Sequence, residues 1–247
     1  MKRIVSIICA FFIFALSTTS IFASHQSYNQ MKLESELGRL GVLKTRVFKD
    51  DGDITRYEAL KTIILAIGGS DELIMDYNTS YLIFDTSMLG PSVPREYGYY
   101  DTHEPLDGGE FEWNQKYATA EGLGQINIAF YNGITKGEIH NGKRYFLFDK
   151  KVSIREAVTF MVRCLKGVDI EPDEAYKIAI EIGLIQKDDI YFGHGEQWLD
   201  YNYFRELLGR FIEQPRYLYF GNNEEFPKVS IDESGEMTYK EYLKTIE

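Results

Sequence analysis

Two acidic stretches carry enough oxygen-bearing side chains to raise the question of a calcium ion. They are KDDGDITRYEALKTI, from Lys49 to Ile63, and DESGEMTYKEYLKTI, from Asp232 to Ile246. A calcium loop of the EF-hand kind needs oxygen ligands at positions 1, 3 and 5, Gly at 6 and Glu at 12. Placing Gly52 and Glu58 at 6 and 12 puts Val47 and Lys49 at 1 and 3. Neither can ligate, and Lys49 would repel the ion. Placing Gly235 and Glu241 there puts Ser230, Asp232 and Ser234 at 1, 3 and 5. Serine is a weak first ligand, and Pro227 falls where the entering helix should end. No metal is expected at either stretch, and no cofactor elsewhere. His25, His103, His140 and His194 are scattered without zinc spacing. There is no G-x-S-x-G, no phosphate loop and no supported Cys–His pair. Among 38 acidic residues a glycosidase carboxylate pair could be hidden, which leaves a cell-wall glycoside hydrolase as one alternative. Most such acids form a solvated face, and the chain is expected not to be an enzyme.

The same letters describe helix starts. Thr55 and Glu58 form T-x-x-E, a capping box in which the hydroxyl accepts from the third helical N–H and the carboxylate reaches back to the cap N–H. Ile54 and Ala59 stand at staple positions, and Leu60, Ile63, Ile64 and Ile67 follow at helical spacing before Gly68-Gly69. The pattern recurs with Ser153 and Glu156 ahead of Val158, Met161, Val162 and Leu165. It recurs with Asp200, which has no reciprocal Glu but a Leu199–Phe204 staple, and with Thr238 and Glu241 near the end. Upstream of the first three lie partner helices ending in Gly41-Val42, Gly133-Ile134 and Gly183-Leu184. Glycine in the left-handed region followed by an apolar residue is a Schellman-type stop. The unit is helix, glycine stop, irregular connection, capped helix. One such pair cannot bury its apolar faces alone, so the units are expected to pack together.

Composition narrows the setting. The chain opens MKRIVSIICAFFIFALSTTSIFAS, a basic start, a short apolar run and small residues, the layout of a secretory signal peptide cut after Ala23. No other segment is long and apolar enough to span a membrane. The mature chain keeps one cysteine, Cys164, in an apolar helical stretch, and so has no internal disulfide. With 27 basic and 38 acidic residues the net charge is −11, or −13 once Lys2 and Arg3 leave. That argues against nucleic acid, and requires any anionic ligand to be held by a local cluster of cations.

With these residues in view, the chain resembles the S-layer homology domain of bacterial cell-envelope proteins. The family's NGI-x-x-G and ITRAEF elements are matched by YNGITKG (Tyr131 to Gly137), by YFLFDKKVSIREAV (Tyr145 to Val158) and by VFKDDGDITRYEAL (Val47 to Leu60). Phe84-Asp85 is similar to the family's repeat opening. The likeness covers residues 30–69 and 114–213. It implies three repeats in a three-fold helical assembly and non-covalent attachment to anionic, often pyruvylated, secondary cell-wall polysaccharide. It also implies that Arg56, on the first helical residue, contributes to the binding groove. Unpaired N–H groups at that helix start and the Arg56 fork would together favour a carboxylate or phosphate. The equivalent position is Ile154 in the second unit, with Arg155 one residue on and turned by about 100°. It is Tyr201 in the third unit and Tyr239 in the tail.

The expected fold is mainly α, with three helix–loop–helix repeats of S-layer-homology type packed as a pseudo-three-fold domain, a long insertion and an extra C-terminal helix. Its expected parts are a signal peptide (1–23), repeat 1 (24–69), an acidic aromatic insertion (70–113), repeat 2 (114–168), repeat 3 (169–214) and a tail with a partial fourth motif (215–247). Ligand-binding candidates are Thr55, Arg56, Arg155 and Tyr201; capping candidates are Thr55, Glu58, Ser153, Glu156, Asp200, Thr238 and Glu241. The expected function is a secreted, non-enzymatic protein of the bacterial cell wall or surface that binds secondary cell-wall polysaccharide. The other alternative is an interaction module for another envelope protein.

Overall fold

Short polar side chains start the helices where the sequence marks them. The computed structural model describes residues 31–43, 52–69, 129–130, 132–140, 143–146, 150–221 and 229–246. The signal segment, the insertion with Phe84-Asp85, residues 114–128 and the stretch holding Val47 and Lys49 lie outside them. In chain order the elements are α1 (31–39), α2 (Arg56–Ala66), β1 (Glu138–His140), β2 (Lys143–Tyr145), α3 (Ile154–Lys166), α4 (Pro172–Glu181), α5 (Tyr201–Ile212), β3 (Leu218–Phe220), β4 (Val229–Ile231) and α6 (Tyr239–Ile246). The described part is mainly α, with two small antiparallel hairpins, β1–β2 and β3–β4.

Thr55 Oγ1 accepts from Glu58 N–H at 3.2 Å, and Glu58 Oε2 accepts from Thr55 N–H at 2.8 Å, closing the box on α2. Thr238 and Glu241 repeat it at 3.2 and 2.8 Å on α6. Asp200 Oδ1 accepts from Tyr203 N–H at 3.0 Å on α5. At α3 Ser153 Oγ accepts from Glu156 N–H at 3.2 Å, and the Glu156 carboxylate, near the Ser153 amide, also lies 2.7 Å from Arg56 Nε. A guanidinium from α2 thus shares the carboxylate that the cap uses.

The three glycine stops share one geometry. Gly41, Gly133 and Gly183 have φ of 69°, 70° and 76°, where a side chain would be strained. Two residues past each, an N–H donates to the carbonyl six residues back. The pairs are Leu43 to Leu37, Thr135 to Ala129 and Ile185 to Ala179, each 3.1 Å. Val42, Ile134 and Leu184 are buried behind them.

The segments before the first three caps meet head to tail. Ile54 N–H donates to Leu199 O (3.0 Å), Leu199 N–H to Val152 O (2.9 Å) and Val152 N–H to Ile54 O (3.0 Å), a closed ring. A second ring joins the first helical N–H of each helix to the next segment. Arg56 donates to Lys150 O (2.8 Å), Ile154 to Gln197 O (3.0 Å) and Tyr201 to Gly52 O (3.2 Å). These first-turn amides have no partner within their own helix, so each segment satisfies a donor on its neighbour. The side chains of Ile54, Val152 and Leu199 are buried at the junction.

The tail is part of the packed structure. Arg216 N–H donates to Met237 O and Tyr239 N–H to Gln214 O, while Phe220 N–H reaches Ile67 O at the end of α2. Tyr239 is fully buried against the Phe211 ring, 4.8 Å away, with Cys164 O and Leu218 O within reach of its hydroxyl. Lys240 bridges Glu36 of α1 and Glu213. Cys164 is a buried thiol whose pKa burial pushes up. No described helix is long and apolar enough to cross a membrane.

Candidate anion-binding cleft

Where the start of α2 meets the second glycine stop and α3, the surface opens into a cleft of about 340 Å³. Five cations line it: Arg56, Lys136, Lys150, Arg155 and Arg163. Three carboxylates face them: Glu138, Glu156 and Glu171. The lining carries two more positive than negative charges, on a chain whose net charge is −11. That is the local cluster an anionic ligand would need on an acidic surface.

Arg56 is placed differently from the expectation of a groove cation offered to a ligand. It is only 2% exposed. Its Nη1 donates to Phe146 O (2.5 Å) and to Glu138 Oε1 (3.1 Å), and its plane lies 4.9 Å from the Phe146 ring centre. Nε is within ion-pair reach of Glu156 but is off the line of a hydrogen bond. Two carboxylates and a carbonyl occupy the fork, and Thr55 is used by the cap. Burial raises the Glu156 pKa by more than the neighbouring Arg56 and Lys150 charges lower it, with Glu138 pushing the same way as burial.

Arg155 also lines this cleft, although its helix position is turned away from the one Arg56 holds in its own unit. The two arginines line the same space, one from α2 and one from α3. The position on α3 that matches Arg56 is Ile154, which is fully buried. Arg155 is about a third exposed and pairs with Asp173 (2.5 Å) and Glu196 (2.9 Å). These acids are themselves well exposed, and its Nε is shielded without a partner. Lys136 pairs with Glu171 at 2.6 Å and Lys150 with Glu138 at 2.5 Å.

Tyr201 is not brought to this site. It lies buried in a second cleft of about 600 Å³ between the Gly52 segment, the third glycine stop and α5. Arg205 covers the Tyr201 ring at 4.7 Å. The lining here is Asp188, Asp189, Asp200 and Glu206 with three tyrosines, and no basic residue contributes. Tyr191 donates to Asp200, and that bond with burial pushes its pKa up to about 12. The two clefts have opposite charge.

Sequence reasoning passed over Lys136, Lys150, Glu138 and Arg163. Lys136 lies inside the YNGITKG motif itself. Arg163 lies ten residues after its cap, as Arg210 does after Asp200, and aligning the units on their caps makes that pair visible. Asp232 and Glu241, the best calcium candidates, are otherwise engaged. Asp232 accepts from Arg216 (2.7 Å) and Ser234 (2.6 Å), and Glu241 from Thr238.

Comparison of this chain with protein-family models, with curated proteins and with solved structures finds no match. The resemblance to the S-layer homology domain rests on the motifs quoted above.

Proposed function

We propose that this is an exported, non-enzymatic cell-envelope protein that holds an anionic secondary cell-wall polysaccharide in the cleft between α2 and α3. The observation that carries the reading is that cleft, where five cations converge on a strongly acidic chain. The rings of backbone hydrogen bonds support packing of the three units about a pseudo-three-fold axis, as the resemblance implies. The equal glycine stops support a common ancestry of the units. The binding residues in this reading are Lys136, Lys150 and Arg155 at the mouth. Arg56 organises the wall by fixing Glu138 and Glu156. An exposed anionic chain would exchange the solvent-facing ion pairs of Arg155 and Lys136 for its own acids, at small cost because exposed pairs contribute little.

A second reading is an interaction module for another envelope protein. It is favoured by Ile190, Phe192 and Trp198, large apolar side chains that stay exposed within a short segment. A pull-down on purified wall sacculi separates the two. Retention that survives removal of wall protein but ends with removal of secondary polymer supports polysaccharide binding. Retention lost with wall protein supports the module. Release of soluble sugar would overturn both in favour of a hydrolase.

A further inference from the structure

Glu138 and Glu156 share the one buried guanidinium of Arg56, and they share it unequally. Glu138 Oε1 accepts from Arg56 Nη1 at 3.1 Å and from Lys150 Nζ at 2.5 Å, so two cations meet its carboxylate. Glu156 has Arg56 in ion-pair contact, 2.7 Å from Nε and off the line of a hydrogen bond. Its side chain is the less exposed of the two, 21% against 28%, yet it lines the cleft. Among the described residues, the charged groups that act on it are Arg56 from α2, Lys150 from the segment ahead of α3 and Glu138 from β1, besides the Ser153 amide at its own cap. Lys136, Arg155, Arg163 and Glu171 complete the charged lining. Of these, Lys136 is paired with Glu171, and Arg155 with Asp173 and Glu196.

Two acids beside one cation favour the uptake of a proton, because each carboxylate disfavours the ionisation of the other. The geometry assigns that proton to Glu156, which has the fewer cations and the deeper burial. Burial raises its pKa by more than Arg56 and Lys150 lower it, and the Glu138 charge pushes the same way as burial. With Glu156 ionised, five cations of the lining face three carboxylates; with Glu156 neutral, they face two.

We propose that Glu156 is a proton-operated control on the cleft: taking up a proton tightens the hold on an anionic chain, and releasing the proton loosens it. This rests on the anion-binding reading of the cleft and adds its regulation. The coupling is reciprocal, so a bound anion also favours the protonated carboxyl. Arg56 carries the effect, because the positive charge that the ionised Glu156 cancels is left uncancelled when the carboxyl is neutral.

The test compares the full mature chain with Glu156→Gln for affinity to dextran sulfate, a polysaccharide whose sulfate esters stay charged throughout. Calorimetry at about pH 8 and about pH 5, at constant low salt, gives the ratio of the two affinities. The ratio removes the general change in net charge that both proteins share. At about pH 8 Glu156→Gln should bind roughly threefold to tenfold more tightly, the scale of one unit charge near a ligand at a partly solvated site. At about pH 5 the ratio should fall toward one, because the wild type then carries the proton itself. A ratio that is the same at both pH values would overturn the proposal, and so would failure of both proteins to bind. A second measurement needs no variant. By carbon-13 NMR the Glu156 carboxyl of the wild type should titrate above the ordinary value of about 4.3, and dextran sulfate should raise its midpoint further. An ordinary midpoint that dextran sulfate leaves in place would overturn the proposal as well. Capture on sacculi at one fixed pH is read separately. If it persists while the affinity ratio stays flat, the polysaccharide reading stands and the proton control alone is wrong.

Discussion

Arg56 joins two units from inside. Its guanidinium is buried between Glu138, Glu156 and the Phe146 carbonyl, so deleting it takes the adjacent cation from Glu156 and leaves Glu138 with Lys150 alone. Arg56→Ala should lower stability by about 3–5 kcal/mol, the scale for breaking a buried pair from one side. Urea unfolding with an unchanged m-value would measure it, and a loss below about 1 kcal/mol would return Arg56 to the status of a surface cation. Thr55→Ala should cost about 1 kcal/mol through the cap alone. Asp232 gives a pH signature. Hydrogen bonds from Ser234 and Arg216 hold its pKa at about 2, below the unfolded value near 4. Its stabilisation is therefore present above about pH 4 and is lost as pH falls through about 2. The melting temperature of Asp232→Asn should lie below wild type at pH 6 and converge on it toward pH 2. A gap of constant size across that range would show that the Arg216 pair contributes nothing through its charge.

Helix starts and stops were legible in the sequence because each is decided within about six residues. Thr55, Asp200 and Thr238 cap as their spacing implies, and the three glycines adopt the left-handed region their context demands. The ion pair of Glu156 was not legible for the opposite reason. Its partner, Arg56, is a hundred residues away in sequence, and local pattern contains no information about that approach. The tail helix follows the same rule. The spacing of Met237, Tyr242, Leu243 and Ile246 made an apolar face visible, but not the burial of Tyr239 or the surface the face covers. Removing residues 222–247 takes away that face, the Phe211–Tyr239 stack and the Lys240 bridges. Stability should fall by a few kcal/mol, since each fully buried large apolar side chain contributes about 1.5–3 kcal/mol. A truncated chain with the same denaturant midpoint would show the tail to be a loosely held appendage.

The whole molecule sets a locally basic cleft into an acidic body. From the sequence, net charge predicted that an anion site would have to be local, and the motifs placed Arg56 and Arg155 near helix starts. The sequence did not show that Arg56 and Arg155 line one cleft, that Tyr201 belongs to a separate acidic cleft, or that Arg163 and Lys136 complete the basic one. Those facts depend on how the three pre-cap segments close their ring, a long-range arrangement with no signature in any single stretch. The most direct test of the central claim is capture on purified sacculi by wild type and by Lys136→Glu/Arg155→Glu, two partly exposed positions outside the hydrophobic core. Wild type should be retained on sacculi that carry secondary polymer and washed from sacculi stripped of it, with retention weakening as salt rises. The double variant should fold normally and be retained at least tenfold less well, as expected for losing charge-assisted contacts. Equal retention of the folded variant, or retention of wild type on stripped sacculi, would contradict the account.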